Sequence, residues 1–367
     1  MFVLTPMQEQ CVQTVIDKYR AGQRIITVSG YAGSGKSSCI NELIRRLHLQ
    51  EKTVYVTFTG KASLVLQNKG MPATTIHRLI YDTKEDKYGV RSFELKEKLE
   101  KPDIELIVVD EVSMVSKELL MDLLSFGIPI IALGDHGQLA PIGEDNGLLL
   151  KPDFVLTEII RQAEGNPIIY LSKLVREGMF SYIQNDKIRV YPKSFLDFEI
   201  INWADQILCG YNKTRNFLNT IIRQNYFGSN IGPLPVVGDK IICIKNNWNI
   251  IDSQGNPLIN GAIYKVVKIN KNYARGLKFN IDVMNVDTKA FITGLEVNTA
   301  PFTNRPIPPK EKRALFDFGY AITVHKAQGS EWNKVVLIDE CIDNDTYKNW
   351  LYTGITRAID KLIIIKN

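Results

Sequence analysis

Apolar residues along this chain follow two alternating spacings, one typical of helices and one typical of strands. A helical pattern covers residues 7–19, and an uninterrupted apolar strand pattern follows at 25–28. A second helical pattern covers 38–47, and the next strand pattern covers 53–58. Strands that alternate with helices predict a parallel sheet with helices on both faces.

Two segments interrupt this alternation. Residues 81–103 are rich in Lys, Glu and Asp and predict a small insertion. Residues 235–311 carry short β-like runs separated by Asn, Gly and Pro, as in a small β-barrel. Apolar strand patterns return at 104–109, 128–133, 335–338 and 361–365. We therefore predict two α/β domains, each with a small insertion.

Composition narrows the class of protein. A chain of 367 residues is too long for one ordinary hydrophobic core and suggests two or three domains. Its composition, 45% apolar and 23% charged residues, is typical of a globular protein. The sequence shows no apolar run of the ~18 residues that a membrane span needs, and its first residues lack the features of a signal peptide. Its five cysteines show no C-x-x-C spacing, which argues against a zinc site and fits a reducing compartment. We expect a cytoplasmic protein without membrane association.

Net charge does not decide whether the protein binds nucleic acid. The formal charge of +5 and the pI near 8.7 permit nucleic-acid binding without requiring it.

Residues 30–37, GYAGSGKS, fit the phosphate-loop pattern G-x-x-x-x-G-K-[ST]. The loop lies between a predicted strand and a predicted helix, where its backbone N–H groups and the helix N-terminus would face a phosphate. A Gly-rich turn without function is disfavoured because strand, loop and helix agree. The residues that would hold nucleoside triphosphate and Mg²⁺ are Gly30, Gly33, Ser34 and Gly35 in the cradle, Lys36 on the β- and γ-phosphates, and Ser37 on the metal.

Carboxylates follow a later strand of the same predicted sheet. Asp110 would hold Mg²⁺ through water, as the corresponding Asp of phosphate-loop enzymes does, and Glu111 would activate the attacking water. A solvated strand end is the alternative. Gln138 follows the 128–133 strand and would sense the γ-phosphate, although a polar turn is also open; His136 is interpreted as a turn residue.

Two arginines could complete a hydrolytic site. Arg161 lies in LTEIIRQ and Arg357 in YTGITRA. A planar guanidinium that is always charged suits the charge developing on a transferring phosphoryl group. A surface ion pair is the commoner role of an arginine.

The ordered set of motifs resembles the superfamily 1 DNA helicases of the 5′-to-3′ branch, the RecD-like and Dda-like enzymes, over nearly the whole chain. Residues 4–8 resemble the adenine-reading motif that contains Gln8, and 30–37 resemble motif I. One departure is Ala140, where the family often has proline after leucine. The other matching segments are 59–62, 74–79, 110–114, 134–141, 161–162, 320–331 and 352–358.

The resemblance implies an α/β fold with two RecA-like P-loop NTPase domains and ATP in the cleft between them. It places Arg161 and Arg357 on the second domain. The implied boundaries are 1–80 and 104–151 for the first RecA-like domain, 81–103 for a β-hairpin pin, 152–234 and 312–367 for the second RecA-like domain, and 235–311 for an SH3-like β-barrel.

The resemblance also implies where DNA would lie. Thr59, Lys61 and His77 of the first domain and Thr323, His325 and Lys326 of the second would face a single strand. Phe93 or Tyr88 could cap the last base pair at the pin, and a solvated hairpin is the alternative. Trp248 is a further candidate contact in the barrel.

We predict an ATP- and Mg²⁺-dependent DNA helicase or translocase that moves 5′-to-3′ on single-stranded DNA; the polarity comes from the resemblance alone. The alternative is an ATP-gated module that binds or remodels single-stranded DNA with little unwinding. A small-molecule kinase would not need the second domain. The predicted partners are single-stranded and forked duplex DNA, with replication or recombination proteins as candidates, and we expect a monomer.

Overall fold

The computed structural model of this protein describes residues 4–68, 70–85, 91–139, 146–158, 165–180, 182–270, 279–308, 311–340 and 345–366. The chain divides into two compact units. The first is Met1–Asn185 with Asn344–Thr356, and the second is Asp186–Asp343 with Arg357–Asn367. Across the described ranges, no helix has the length and apolar character needed to cross a bilayer.

The first unit is built on a parallel sheet. The described strands of this unit are β1 (Ile25–Gly30), β2 (Thr53–Thr57), β3 (Ala73–Thr75), β4 (Tyr81–Glu85), β5 (Arg91–Leu95), β6 (Leu106–Asp110), β7 (Ile130–Gly134) and β8 (Phe154–Leu156). Six of them pair in the order β3-β2-β6-β7-β1-β8, and every pair is parallel. The strands β4 and β5 form a separate antiparallel hairpin within the predicted insertion.

Helices cover both faces of this sheet. The helices of the described chain are α1 (Pro6–Arg20), α2 (Lys36–Leu47), α3 (Gly60–Asn68), α4 (Ile76–Ile80), α5 (Lys117–Leu124), α6 (Pro167–Arg176), α7 (Phe198–Trp203), α8 (Asn212–Phe227) and α9 (Tyr347–Ile355). One core joins α1 and α2 to the sheet through Val15, Leu43 and Val108. Another joins α5 to it through Leu119 and Val109. This burial of strand residues on both faces explains their continuous apolar runs.

The register of the sheet sets the position of the predicted site. Ser29 pairs with Gly134, Val109 with Ala132, and Thr57 with Asp110. The carboxyl ends of β1, β6 and β7 therefore meet at one edge. In parallel α/β sheets this edge is where ligands bind.

The first unit extends beyond the predicted first domain. Strand β8 pairs with β1, although residues 152–234 were assigned to the second domain. Helix α9, from the predicted 312–367 segment, also belongs to the first unit and packs against α6. Long-range packing decides these memberships, and local sequence patterns do not carry that information.

The second unit contains a parallel sheet and a barrel. Its strands are β9 (Ile188–Pro192), β10 (Gln206–Cys209), β11 (Lys240–Cys243), β12 (Asn247–Ile251), β13 (Pro257–Leu258), β14 (Ile263–Asn270), β15 (Phe279–Asn285), β16 (Phe291–Asn298), β17 (Ala314–Phe318), β18 (Ala321–Thr323), β19 (Trp332–Asp339) and β20 (Ala358–Lys366). The sheet has the order β18-β10-β19-β20-β9, with all pairs parallel.

The barrel closes through β11-β14-β15-β16-β17 around an apolar core that includes Val266, Ile281 and Phe316. Its last strand, β17, lies beyond the predicted boundary at 311. The predicted α/β fold with a hairpin and a small β-barrel is confirmed.

Candidate functional site

The phosphate loop joins β1 to α2 and depends on its glycines. Gly33 and Gly35 have φ of 78° and 80°, the left-handed region that glycine enters without steric cost. Gly30 is required for a close approach, since a Cβ there would lie 2.6 Å from the Ser34 Oγ and 3.0 Å from the Leu156 Cβ. At each of these three positions, the geometry of the loop therefore requires glycine.

Lys36 and Ser34 give the loop the chemistry of an anion site. The Lys36 Nζ donates to the carbonyl oxygens of Gly30 at 2.5 Å and Tyr31 at 3.3 Å. Ser34 is 1% exposed, and its Oγ has no hydrogen-bond partner among the described residues. A buried hydroxyl without a partner costs about 1–3 kcal/mol. The loop therefore fits a nucleotide phosphate, and Ser37, in the first turn of α2, supplies a hydroxyl of the kind Mg²⁺ accepts.

Gln8 contacts the phosphate loop directly. Its side chain is 2% exposed, its Oε1 accepts from the Thr5 N–H at 3.0 Å, and its Nε2 donates to the Ser34 carbonyl at 3.2 Å. Thr5 and Gln8 form the capping box of α1, so one side chain both starts that helix and positions the loop. The role of Gln8 at the adenine stays a prediction.

Asp110 and Glu111 lie where β6 ends. The Asp110 Oδ1 accepts from the Glu111 N–H at 3.0 Å. Glu111 has φ 53° and ψ 46°, the left-handed conformation that a non-glycine residue adopts only at a cost. Strained residues of this kind cluster at active sites, so the backbone supports a special role for Glu111 beyond that of a solvated strand end.

Gln138 lies in the turn after β7 with its side-chain oxygen uncommitted. The residue is 7% exposed, and its Oε1 has no partner within the described part of the chain. Its backbone is held on both sides, because Asn349 donates to the Gln138 carbonyl at 3.0 Å and the Leu139 N–H donates to the Thr353 Oγ1 at 2.9 Å. A fixed turn with an unpaired amide oxygen suits contact with a bound group.

Tyr352 is a site residue whose individual role the sequence did not reveal. Its hydroxyl donates to the Asp135 Oδ2 at 2.5 Å and accepts from the Ala32 N–H at 3.1 Å. Burial, and then the negative charge of Asp135, raise the pKa of Tyr352 well above its usual value. The sequence pointed to Tyr352 only as part of the 352–358 motif. The structure shows that this tyrosine fastens α9 to the phosphate loop and to the turn after β7.

His136 makes contacts that a simple turn residue would not. Its Nδ1 lies 2.6 Å from the Ser29 Oγ and its Nε2 lies 2.8 Å from the Tyr31 Oη. The Arg176 guanidinium, at the end of α6, lies over the Tyr31 ring. The interpretation of His136 as a turn residue was therefore incomplete. Arg176 carried no sequence signal, because nothing around it differs from an ordinary helix terminus.

The two predicted arginines have different outcomes. Arg161 lies outside the described residues. Arg357 belongs to the second unit, is 4% exposed, and donates from its Nη1 to the Ser330 carbonyl at 3.1 Å. Its predicted role at the γ-phosphate stays a prediction.

The predicted DNA contacts of the first unit lie at the carboxyl ends of β2 and β3. Thr59 accepts from the Ala62 N–H at 3.3 Å, and Lys61 is 8% exposed. The ring of His77 lies 6.0 Å from that of Phe58 and 5.6 Å from that of Tyr81, and burial lowers the His77 pKa. The structure thus brings an aromatic group, which the sequence did not single out, to this edge.

The predicted DNA contacts of the second unit lie at the carboxyl end of β18 and in the turn after it. The Thr323 Oγ1 accepts from the Lys326 N–H at 3.3 Å, and His325 and Lys326 lie in a short 3-10 helix. Burial lowers the pKa of both side chains, and the charge of Arg215 lowers that of Lys326 further.

For the other predicted DNA contacts, the structure describes either the backbone position alone or nothing. Phe93 pairs with Thr83 in the hairpin, and Trp248 lies in β12. Tyr88 and Ala140 lie outside the described residues. No DNA role of these residues is tested.

Family models match both ends of the chain. The model described as an AAA domain matches residues 3–192, just over half of the chain. The model described as a UvrD-like helicase C-terminal domain matches residues 318–365.

Three of the curated relatives are described as DNA helicases. Over 95% of its length, the chain is 28% identical to the ATP-dependent RecD2 DNA helicase of Deinococcus radiodurans, and it covers 47% of that protein. It is 23% identical to the ATP-dependent DNA helicase dda of Enterobacteria phage T4, with 97% of each chain covered. It is 25% identical to the ATP-dependent DNA helicase Pif1 of Campylobacter jejuni, with 91% of this chain and 86% of that one covered. The chain thus spans about half the length of RecD2.

Solved structures share the fold. Pif1 helicase from Candida albicans matches with a TM-score of 0.55 at 17% identity, over 100% of this chain and 94% of that one. Bacteroides Pif1 bound to ssDNA matches with a TM-score of 0.57 at 18% identity, over 99% and 92%. These structures confirm the fold, and the two family models with the helicase relatives confirm the resemblance drawn from the motifs. The chain belongs to the AAA-domain family by its first model and, with its helicase C-terminal model, to the superfamily 1 helicases of the 5′-to-3′ branch.

Proposed function

We propose that this protein is an ATP-dependent DNA helicase or translocase that moves 5′-to-3′ on single-stranded DNA. The observation that carries the proposal is the meeting of three motifs at one sheet edge. There the phosphate loop, Asp110–Glu111 and the turn of Gln138 lie at the carboxyl ends of strands β1, β6 and β7. Membership of the helicase family supports DNA as the partner and supports the polarity.

The residues of the first unit divide the hydrolytic work. Lys36 would exchange its carbonyl partners for the β- and γ-phosphates, and the Ser34 hydroxyl would gain the partner it lacks. Ser37 and Asp110 would hold Mg²⁺, which supplies charge neutralisation of the phosphates. Glu111 would accept a proton from the attacking water, and the Gln138 amide oxygen would orient that water. Arg161 and Arg357 would stabilise the charge on the phosphoryl group.

DNA binding would use the edge residues of both units. Thr59, Lys61 and His77 on one unit and Thr323, His325 and Lys326 on the other combine hydroxyl, cationic and ring groups, the set that grips a single strand without sequence preference. Phe93 would act at the duplex junction. We infer that ATP-driven closure of a two-domain cleft converts alternating grip into stepping.

Three further properties belong to the proposal. The cysteines described, Cys11, Cys39, Cys209 and Cys243, are free thiols, which supports a reducing compartment such as the cytoplasm. We propose forked DNA as the natural substrate and a monomer as the working form. Sedimentation with and without a forked duplex tests the last point.

The decisive experiment compares duplexes that carry a single-stranded tail at the 5′ or the 3′ end, with ATP and Mg²⁺. We expect unwinding of the 5′-tailed duplex alone and no unwinding by Lys36→Ala. Preference for the 3′ tail would contradict the polarity. DNA-stimulated phosphate release without strand separation would indicate a translocase or remodelling module, and DNA-independent turnover would contradict the helicase proposal.

A further inference from the structure

Four side chains of the first unit form a contiguous group beside the phosphate loop, which we call the loop stack: Ser29, Tyr31, His136 and Arg176. The His136 imidazole joins the hydroxyls of Ser29 and Tyr31 at 2.6 and 2.8 Å, and its ring centroid lies 4.7 Å from that of Tyr31. The Arg176 guanidinium lies over the same tyrosine ring. A cation over an aromatic face is attracted by the ring quadrupole.

Arg176 lies at the end of this stack and has no carboxylate partner among the residues that the structure describes. The neighbouring Glu177 pairs with Lys173 at 3.9 Å. The Asp135 carboxylate, which lies nearby, already accepts from the Tyr352 hydroxyl and from the Gly137 N–H at 2.9 Å. An arginine held in place without a carboxylate is poised for another anion.

The surrounding charge is positive. Burial is the largest cause of the lowered His136 pKa; Asp135 opposes it, and the charges of Arg176, Lys36 and Lys348 lower the pKa further. Three cations therefore act on one ring beside the phosphate loop. Such a field favours a bound polyanion.

We propose that Arg176 is a nucleotide-binding residue that contacts the terminal phosphate of ATP held by the phosphate loop. This inference rests on the proposed ATPase function. The position argues for the terminal phosphate, because Arg176 lies over the side chain of Tyr31 while the Lys36 Nζ bonds the carbonyl of the same residue at 3.3 Å. The lysine of this motif serves the β- and γ-phosphates, so the guanidinium lies at that end of the loop.

Tyr31 and His136 act as positioning residues for this arginine. The tyrosine ring supports the guanidinium, and His136 holds the tyrosine hydroxyl, so the arginine loses less conformational freedom when it binds phosphate. The planar guanidinium stacks on a ring and binds two oxygens at once, which a lysine cannot do.

The test is a binding titration without DNA, using fluorescent forms of ADP and of a non-hydrolysable ATP analogue with the full chain. We expect Arg176→Ala to bind the ATP analogue roughly tenfold more weakly or worse, as the loss of a charge-assisted bond predicts. Its affinity for ADP should change by less than about threefold, which is small on the free-energy scale. Lys173→Ala, on the same helix, is the matched control and should equal the wild type for both nucleotides.

Two further variants distinguish a specific loss of phosphate binding from a general folding defect, which would weaken the binding of both nucleotides. Arg176→Lys keeps the charge and should show an intermediate loss for the ATP analogue alone; Tyr31→Leu should show a loss in the same direction. Equal losses for ADP and the ATP analogue in both arginine variants would overturn the inference, as would wild-type affinities. If the wild type and Lys173→Ala bind neither nucleotide, the proposed ATPase function itself fails, which is a distinguishable result.

Discussion

The hydroxyl of Tyr352 donates to the carboxylate of Asp135 across 217 positions of sequence, at 2.5 Å and in a buried setting. The same hydroxyl accepts from the Ala32 N–H of the phosphate loop at 3.1 Å. One phenol therefore joins three of the helicase motifs within the first unit. Because the carboxylate and the amide both depend on it, its removal should be felt in stability and in nucleotide binding together.

Tyr352→Phe removes this hydroxyl and little else. We expect it to destabilise the protein by about 1–3 kcal/mol, because the buried Asp135 carboxylate and the Ala32 N–H each lose a partner. Urea denaturation should show the effect as a lower midpoint. Tyr170→Phe removes the same group from a side chain that is 47% exposed, and it should leave the midpoint unchanged. Equal midpoints for the two variants would contradict the structural role of Tyr352.

Gly30→Ala should damage the phosphate loop through a steric clash. The added Cβ would lie 2.6 Å from the Ser34 Oγ and 3.0 Å from the Lys36 Cγ, so the loop must shift. We expect a loss of about 1–3 kcal/mol, as in other overpacked sites, together with weaker ADP binding. A thermal melt and a fluorescent ADP titration measure the two effects.

The control for that clash is Gly165→Ala, where an added Cβ meets nothing within 4 Å. It should match the wild type in both measurements. If Gly30→Ala matches it as well, the close approach in the loop is not required for function.

Glu111→Gln should separate binding from hydrolysis. The variant keeps the size of the side chain but cannot accept a proton, so DNA-stimulated turnover should fall by about 10²–10⁴-fold. ATP affinity should change little. Glu118→Gln, on the exposed side of α5, is the matched control and should retain wild-type turnover. Strand separation at the wild-type rate by Glu111→Gln would refute its assignment as the base.

Acidification should destabilise the protein through its histidines. Burial lowers the pKa of His77, His136 and His325 in the folded chain. A histidine with a lowered folded pKa contributes stability above its unfolded pKa of about 6.5, and that contribution is lost as pH falls through the folded value. The thermal midpoint should therefore drop between pH 7.5 and pH 5.

The variant that tests this pH effect is His77→Gln. It should reduce the dependence of the thermal midpoint on pH, because it removes one of the buried imidazoles whose pKa burial lowers. A midpoint that does not change between pH 7.5 and pH 5 in the wild type would contradict this account.

Local patterns predicted the centre of the fold and of the site. The strand β1, the loop and α2 were predicted because their signals are contiguous, and Asp110 followed from the rule that parallel strands end at one edge. Packing over long sequence distances was not predictable in this way. The place of β8 beside β1, the membership of α9 in the first unit and the contact of Gln8 with Ser34 all depend on it. Arg176 was missed because a helix-terminal arginine is ordinarily a solvated one.

The path of the chain between the units has a consequence for how the protein can be cut. The chain leaves the first unit after Asn185, returns to it before α9, and leaves again after Thr356. A protease that cleaves once near residue 185 would release residues 1–185 as a separate chain, while residues 344–356, which contain α9, would stay joined to the second unit by peptide bonds at both ends. The first unit would then depend on noncovalent contacts of α9, such as its packing against α6, to stay whole. Because the chain crosses between the units three times, separating them covalently requires three breaks.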